Sequence, residues 1–252
     1  MIDRCYRGIA PFVRLYTTGA DSARLVELGS VLASVVPASP QRSLVNTVVF
    51  DRAEPAELAS ALPALQAEFA AAGVAASSIW VVEGDSEAEA IVVDHGFKLD
   101  STPRAMGADI SALELDARVG DVDLSWDMPS VSTLNERAYG LDRGDFGAVL
   151  DRIPPTDGVY CFTAISRGER VASVMTLHMP DGDCTVYFVA TDPDHRREGH
   201  ARRAMTAALQ HAQAVGCTTT TLQATSHGAP LYRLLGYQDL GVAVNLWEKR
   251  DD

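Results

Sequence analysis

Short alternating runs of β-branched and aromatic residues, broken by Gly, Pro and Asp, are interleaved with alanine- and leucine-rich stretches, and this rhythm predicts the elements. The second half of the chain reads more clearly. VSTLNERAYG (131–140) and DFGAVLDRI (145–153) predict helices, the second stopped by Pro154 and Pro155. GVYCFTAIS (158–166) predicts a strand, Arg167-Gly168-Glu169 a turn, and RVASVMTLHM (170–179) the returning strand. After the turn PDGD (180–183) come a strand at CTVYFVATD (184–192) and a helix over 200–216, closed by Gly216. A strand at CTTTTLQAT (217–225), a short helix at GAPLYRLLGY (228–237) and a strand at 239–249 complete the half. In the first half, 21–36 and 55–73 predict helices, with Pro55 starting the latter and Pro63 bending or breaking it. Residues 43–51 and 76–84 predict strands.

Displacing the chain by 140 residues lays 77–97 on 217–237 without a gap: Ser86 meets Ser226, Gly96 meets Gly236, and Phe97 meets Tyr237. The 56–73 helix falls roughly opposite the 200–216 helix. The expected fold is α/β with a mixed sheet (α+β), built as two related units over 1–117 and 118–252. Each unit is a central, mostly antiparallel sheet flanked by helices.

Composition narrows the function classes. At 252 residues and 47% hydrophobic, the chain supports a sizeable core. The net charge of −13 argues against nucleic acid, which needs a basic face. Cys5, Cys161, Cys184 and Cys217 are scattered, with no CxxC pair and no zinc spacing, so buried reduced thiols and no metal site are expected. MIDRCYRGIAPF lacks the apolar core of a secretory signal, and no run of about 18 apolar residues occurs. A cytoplasmic protein away from membranes is expected.

Against this acidic background, four arginines crowd one helix start: Arg196, Arg197, Arg202 and Arg203. Positive charge is unfavourable there for the helix dipole but suits an anion. The strand before the turn and the helix after it present unpaired N–H groups, and Gly199 removes a Cβ where a ligand comes close. A diphosphate can use both the backbone and the guanidinium groups. VATDPDHRREGHA (189–201) resembles the motif Gln/Arg-x-x-Gly-x-Gly/Ala of the GNAT (Gcn5-related) N-acetyltransferase superfamily, here Arg196-Arg197-Glu198-Gly199-His200-Ala201. GAPLYRLLGY, with Tyr232, Gly236 and Tyr237, resembles its second element. The resemblance covers about 125–250 and reaches the first half only through the repeat.

The resemblance implies a tandem GNAT-like protein using acetyl-CoA. Backbone N–H groups of Arg197 to Ala201 would hold the diphosphate, with Arg196 beside them. The main chain of Val189, Ala190 and Thr191 would pair with the pantetheine arm. The strands 184–191 and 218–224 would splay to admit that arm. Tyr232 matches the family's general acid for the CoA sulfur; its counterpart in the first half is Val92. The corresponding first-half turn, FDRAEPAELA (50–59), carries Pro55 and Glu57 in place of the glycine and arginines, which implies one cofactor per chain. Glu136 and His178 are candidates for the base, unless a water chain does that work. The expected activity is direct acetyl transfer to an amine-bearing substrate, a small molecule in preference to a protein. The alternatives are a non-catalytic CoA-binding sensor and an anion module for another nucleotide. Two fused units suit a monomer, and a homodimer stays open.

Overall fold

The structure, a computed structural model, describes residues 1–115 and 119–250. The boundary expected at 117/118 lies outside the described residues. The chain opens with two short helices, α1 (Ile2–Arg7) and α2 (Ile9–Tyr16), which the apolar pattern does not announce over so short a span. In α2, Ile9, Phe12, Val13, Leu15 and Tyr16 are buried, as spacings of three and four residues require of one helix face.

The helix predicted over 21–36 is instead a hairpin. Strands β1 (Arg24–Leu28) and β2 (Val31–Val35) pair from Arg24↔Val35 to Leu28↔Val31. Gly29, at φ +60°, and Ser30 make the turn, and the Glu57 carboxylate accepts the Ser30 N–H at 2.6 Å. The valines of this stretch suit a pleated surface better than a helix. Next come β3 (Thr47–Val49), α3 (Pro55–Ala71), β4 (Ala76–Val82), α4 (Ser86–Asp94), β5 (Lys98–Ser101) and β6 (Arg104–Asp109). Helix α3 runs unbroken through Pro63. The ring sits on the exposed face, where water can take the carbonyl it orphans, while Leu58, Leu62, Leu65 and Phe69 hold the opposite face in the core.

In the second half lie β7 (Val122–Leu124), α5 (Met128–Tyr139), α6 (Gly147–Leu150), β8 (Val159–Ser166), β9 (Glu169–His178) and β10 (Asp183–Thr191). Then follow α7 (His200–Ala214), β11 (Thr219–Ala224), α8 (Ala229–Leu235) and β12 (Gln238–Arg250). The element order recurs: three strands, a helix, a strand, a helix and then a strand occur in both halves. Gly96 and Gly236 both adopt left-handed φ, at +85° and +103°, and the aromatic residue after each is buried.

Among the described residues the strands form one sheet, in the order β1-β2-β3-β4-β12-β6-β11-β10-β9-β8-β7, with β5 also pairing β12. All pairs are antiparallel except β3/β4 and β10/β11, one parallel pair in each half. The two halves exchange their closing strands. β12 pairs with β4 from Val244↔Val82 to Arg250↔Ala76, and β6 pairs with β11 from Thr219↔Asp109 to Ala224↔Arg104. Each half's core therefore draws on the other half, since Val244 and Leu246 pack into the first half's cluster and Met106 and Ala108 into one of the second's. Helix α7 covers one face of the second-half strands. Helices α5 and α6 cover the other, together with Phe12, Leu15 and Tyr16 from α2. No helix among the described residues is long and apolar enough to cross a membrane.

Candidate active site

β10 and β11 are joined only from Asp183↔Thr219 to Thr185↔Thr221. The buried Asp183 carboxylate fastens this closed end, accepting hydroxyl bonds from Thr219 (2.6 Å), Thr221 (2.6 Å) and Thr185 (3.2 Å). Beyond Thr185 the strands part. On its β9 side, β10 slips register between Tyr187 and Ala190, so Phe188 and Val189 stand opposite the single residue Val174, and Phe188 takes φ +49°. The gap therefore runs alongside Val189, Ala190 and Thr191.

At the open end of β10, Asp192 accepts the Asp194 N–H at 3.1 Å and starts a turn. Arg197 (φ +65°) and Gly199 (φ +82°) are both left-handed, and Gly199 caps the N-terminus of α7. Left-handed residues in such a turn gather successive N–H groups into an anion-binding concavity. A Cβ at Gly199 would meet no protein atom within 4 Å, so the glycine answers to its backbone conformation and to what approaches from outside. The four arginines divide. Arg196 and Arg197 are exposed, and the Arg196 guanidinium donates to Ala138 O at the end of α5 (2.7 Å). Arg203 donates instead to His200 Nδ1 and to Ile165 O, tying α7 to β8.

His200 is buried beneath the turn, with Nε2 3.0 Å from the Glu198 carboxylate, and this contact holds Glu198 below the usual carboxylate range. Donor atoms of His195, Glu198 and His200 lie within 4.8 Å of one another, a spacing that suits a metal ion. The neighbours decide otherwise. Nδ1 accepts from Arg203, so Nε2 carries the proton and gives it to Glu198, which leaves no lone pair for a cation. Glu198, His200 and Arg203 form a hydrogen-bond chain that stiffens the turn, with His195 Nδ1 3.9 Å from the Glu198 carboxylate.

Tyr232 is buried on α8, and burial raises its phenol above the ordinary value, so it stays protonated. Gly228 lies against it: a Cβ there would come within 3.0 Å of the Tyr232 ring and 3.4 Å of the hydroxyl. Tyr237 anchors the helix end by sharing a 2.8 Å hydrogen bond with Thr220 of β11. Nothing in the spacing of the sequence singles out Thr220, because it acts through a contact between β11 and the end of α8.

The two base candidates are both engaged in contacts of their own. Both Glu136 oxygens are occupied, accepting N–H bonds from Phe146 (2.7 Å), Gly147 (2.9 Å) and Gly144 (3.0 Å). This carboxylate folds the loop between α5 and α6. His178 ends β9 opposite Cys184, at the closed end of the gap, and its ring packs on Tyr160 (4.6 Å) and His211 (5.8 Å) under α7. Burial and the neighbouring His211 lower its pKa to about 4.

The first half closes its own version of this gap. β3 and β4 are paired only at Thr47↔Ser78 and Val48↔Ile79. There Tyr6 of α1 inserts, its hydroxyl donating to Trp80 O (3.2 Å) and accepting from the Phe50 N–H (3.3 Å). Arg52, in the turn that follows, is bound by Asp85 (2.6 and 2.9 Å) and Asp3 (2.7 Å).

Residues 128–237 match the profile of the acetyltransferase (GNAT) family. The whole chain is similar in fold to a GCN5-related N-acetyltransferase from Kribbella flavida, with a TM-score of 0.66, 24% identity and 97% of each chain covered. A putative GNAT-family acetyltransferase from Novosphingobium aromaticivorans matches with a TM-score of 0.59 at 15% identity, over 100% of this chain and 99% of that one. A tandem GNAT protein from the clavulanic acid biosynthesis pathway matches at 0.57 and 12% identity, over 97% and 95%. Among curated proteins none matches the sequence.

Proposed function

We propose that the chain is an acetyl-CoA-dependent N-acetyltransferase that moves the acetyl group directly to a small-molecule amine and uses only its second half, 118–252, to bind the cofactor. The observation that carries this reading is the gap opening at Thr185 beside the turn at Arg196–Gly199. The residues fit acetyl-CoA: left-handed Arg197 and Gly199 and the first N–H groups of α7 suit a diphosphate, and the open edge of Val189–Thr191 suits an extended arm with amide groups. Acetyl-CoA supplies the activated acyl group. The chain binds and aligns it, and that positioning does much of the work. As the new C–N bond forms the C–S bond breaks, the amine gives its proton to solvent, and Tyr232 donates toward the departing sulfur.

Direct transfer is supported by the state of the cysteines. All four are buried and free. Burial pushes the Cys5 thiol up to about 12 and Cys161 to about 11, and raises Cys184 and Cys217 as well. None offers the thiolate that an acetyl-enzyme needs. The first half serves as scaffold in this reading, because Tyr6 occupies its gap and Arg52 is committed to Asp85 and Asp3.

Calorimetry with acetyl-CoA, CoA and ATP, followed by thiol release over a panel of arylalkylamines, polyamines and amino sugars, tests the proposal. It expects one acetyl-CoA bound per chain and turnover on at least one amine class. Tyr232→Phe should lower turnover by about a hundredfold to ten-thousandfold with affinity nearly unchanged. No binding of acetyl-CoA sinks the proposal; binding without turnover across the panel favours the sensor.

A further inference from the structure

We infer that Asn135 and Ser173 are positioning residues for the transfer step, acting by holding Phe188 in its left-handed conformation and so fixing the bulge of β10 at the gap. The inference rests on the acetyl-CoA reading of that gap. A bulky L-residue at φ +49° lies outside the conformations it adopts freely, so something around it must impose the geometry. The Phe188 carbonyl accepts two hydrogen bonds, from Ser173 Oγ at 3.2 Å and from Asn135 Nδ2 at 3.3 Å. Asn135 is fixed in turn by its bond to Val131 O (2.8 Å) and its contact with Ser173 Oγ (3.4 Å). Both side chains are buried, at 1% and 0% exposure.

Their surroundings make the pair unusual. Asn135 sits on the face of α5 that packs Val131 into the core, where an amide is costly unless it is bonded. Ser173 is the β9 partner of Ala190, the residue at which the ladder resumes after the slip. The Phe188 ring is drawn the same way, meeting Phe12 of α2 at 5.3 Å and Phe146 at 5.7 Å. Carbonyl and ring are thus both pulled toward α5 and α2. In a trans peptide the N–H points opposite the carbonyl, so holding Phe188 O turns the Val189 N–H to the opposite side, toward the gap where a thioester oxygen gains charge during transfer.

The test binds acetyl-CoA, labelled with carbon-13 at the carbonyl, to the full chain and reads the thioester carbonyl stretch by infrared difference spectroscopy beside calorimetric affinity. In the unaltered protein the stretch should move to lower frequency on binding. Asn135→Leu and Ser173→Ala should each lose half or more of that shift while affinity changes by no more than about threefold. Ser173→Thr, which keeps the hydroxyl, should retain the shift. If Asn135→Leu does not fold, the Ser173 pair decides alone. A full shift in Ser173→Ala, or a bound thioester with no shift in the unaltered protein, overturns the inference while leaving the acetyl-CoA reading standing. A chain that binds no acetyl-CoA overturns both.

Discussion

Gly199 separates what the helix wants from what the ligand wants. Its φ of +82° and ψ of 8° cost an L-residue about 1–2 kcal/mol, and no protein atom lies within 4 Å of the Cβ position to add a clash. For a chain of this size Gly199→Ala should lower Tm by roughly 2–8 °C through that strain alone. Gly199→Glu carries the same strain but places a negative charge at the N-terminus of α7, which returns about 0.3–1 kcal/mol. The glutamate variant should therefore be no less stable than the alanine variant. For a diphosphate the order reverses: the carboxylate points where the phosphates lie and repels them. Thermal unfolding and calorimetry with acetyl-CoA, run on both variants, read the two effects separately. The expected result is weakened binding in Gly199→Ala and none in Gly199→Glu, at equal or higher Tm. If Gly199→Glu folds as expected and binds acetyl-CoA like the unaltered protein, the diphosphate does not sit at this turn.

Glu136→Gln replaces one acceptor oxygen with an amide that faces backbone N–H donors, so a urea melt should show a loss of about 1–3 kcal/mol while the pH profile of turnover keeps its shape; a flattened profile in a stable variant would restore Glu136 as the base. His178 is held neutral in the fold, at about 4 against an ordinary 6.5, so the unfolded chain takes up the proton first. Its contribution is complete above pH 6.5 and is lost as pH falls toward 4, about 1–2 kcal/mol after allowing for the ring's partial solvent access. His178→Gln should therefore make stability less steep across that window, and an unchanged slope refutes the assignment. Tyr6→Phe removes the hydroxyl joining Trp80 to Phe50 and should cost about 1 kcal/mol. Calorimetry should still count one acetyl-CoA per chain, because the ring continues to fill the gap.

The rhythm of apolar residues was enough to locate most second-half elements, since long strands and a helix with a clear buried face carry their own period. It was misleading at 21–36, where valines and leucines fit either period and the choice fell to a turn at Gly29 and a partner strand. The crowd of arginines at the start of α7 marks, from the sequence alone, the turn proposed as the anion site, because local electrostatics make those residues poor choices for the helix. Which arginines face outward was not legible: Arg203 is claimed by His200 and Ile165, more than thirty positions away in the second case. Glu136 looked like a free carboxylate because the N–H groups that occupy it lie beyond a loop.

Local order therefore determined most second-half elements and the position of the glycine-led turn, which depend on neighbours within a few residues. The tertiary structure alone decided the exchange of β6 and β12, the plugging of the first gap by Tyr6 and the clamp on Phe188. Each of these joins groups far apart in the chain, and their pairing is settled by which buried donors and acceptors find one another once the sheet has closed.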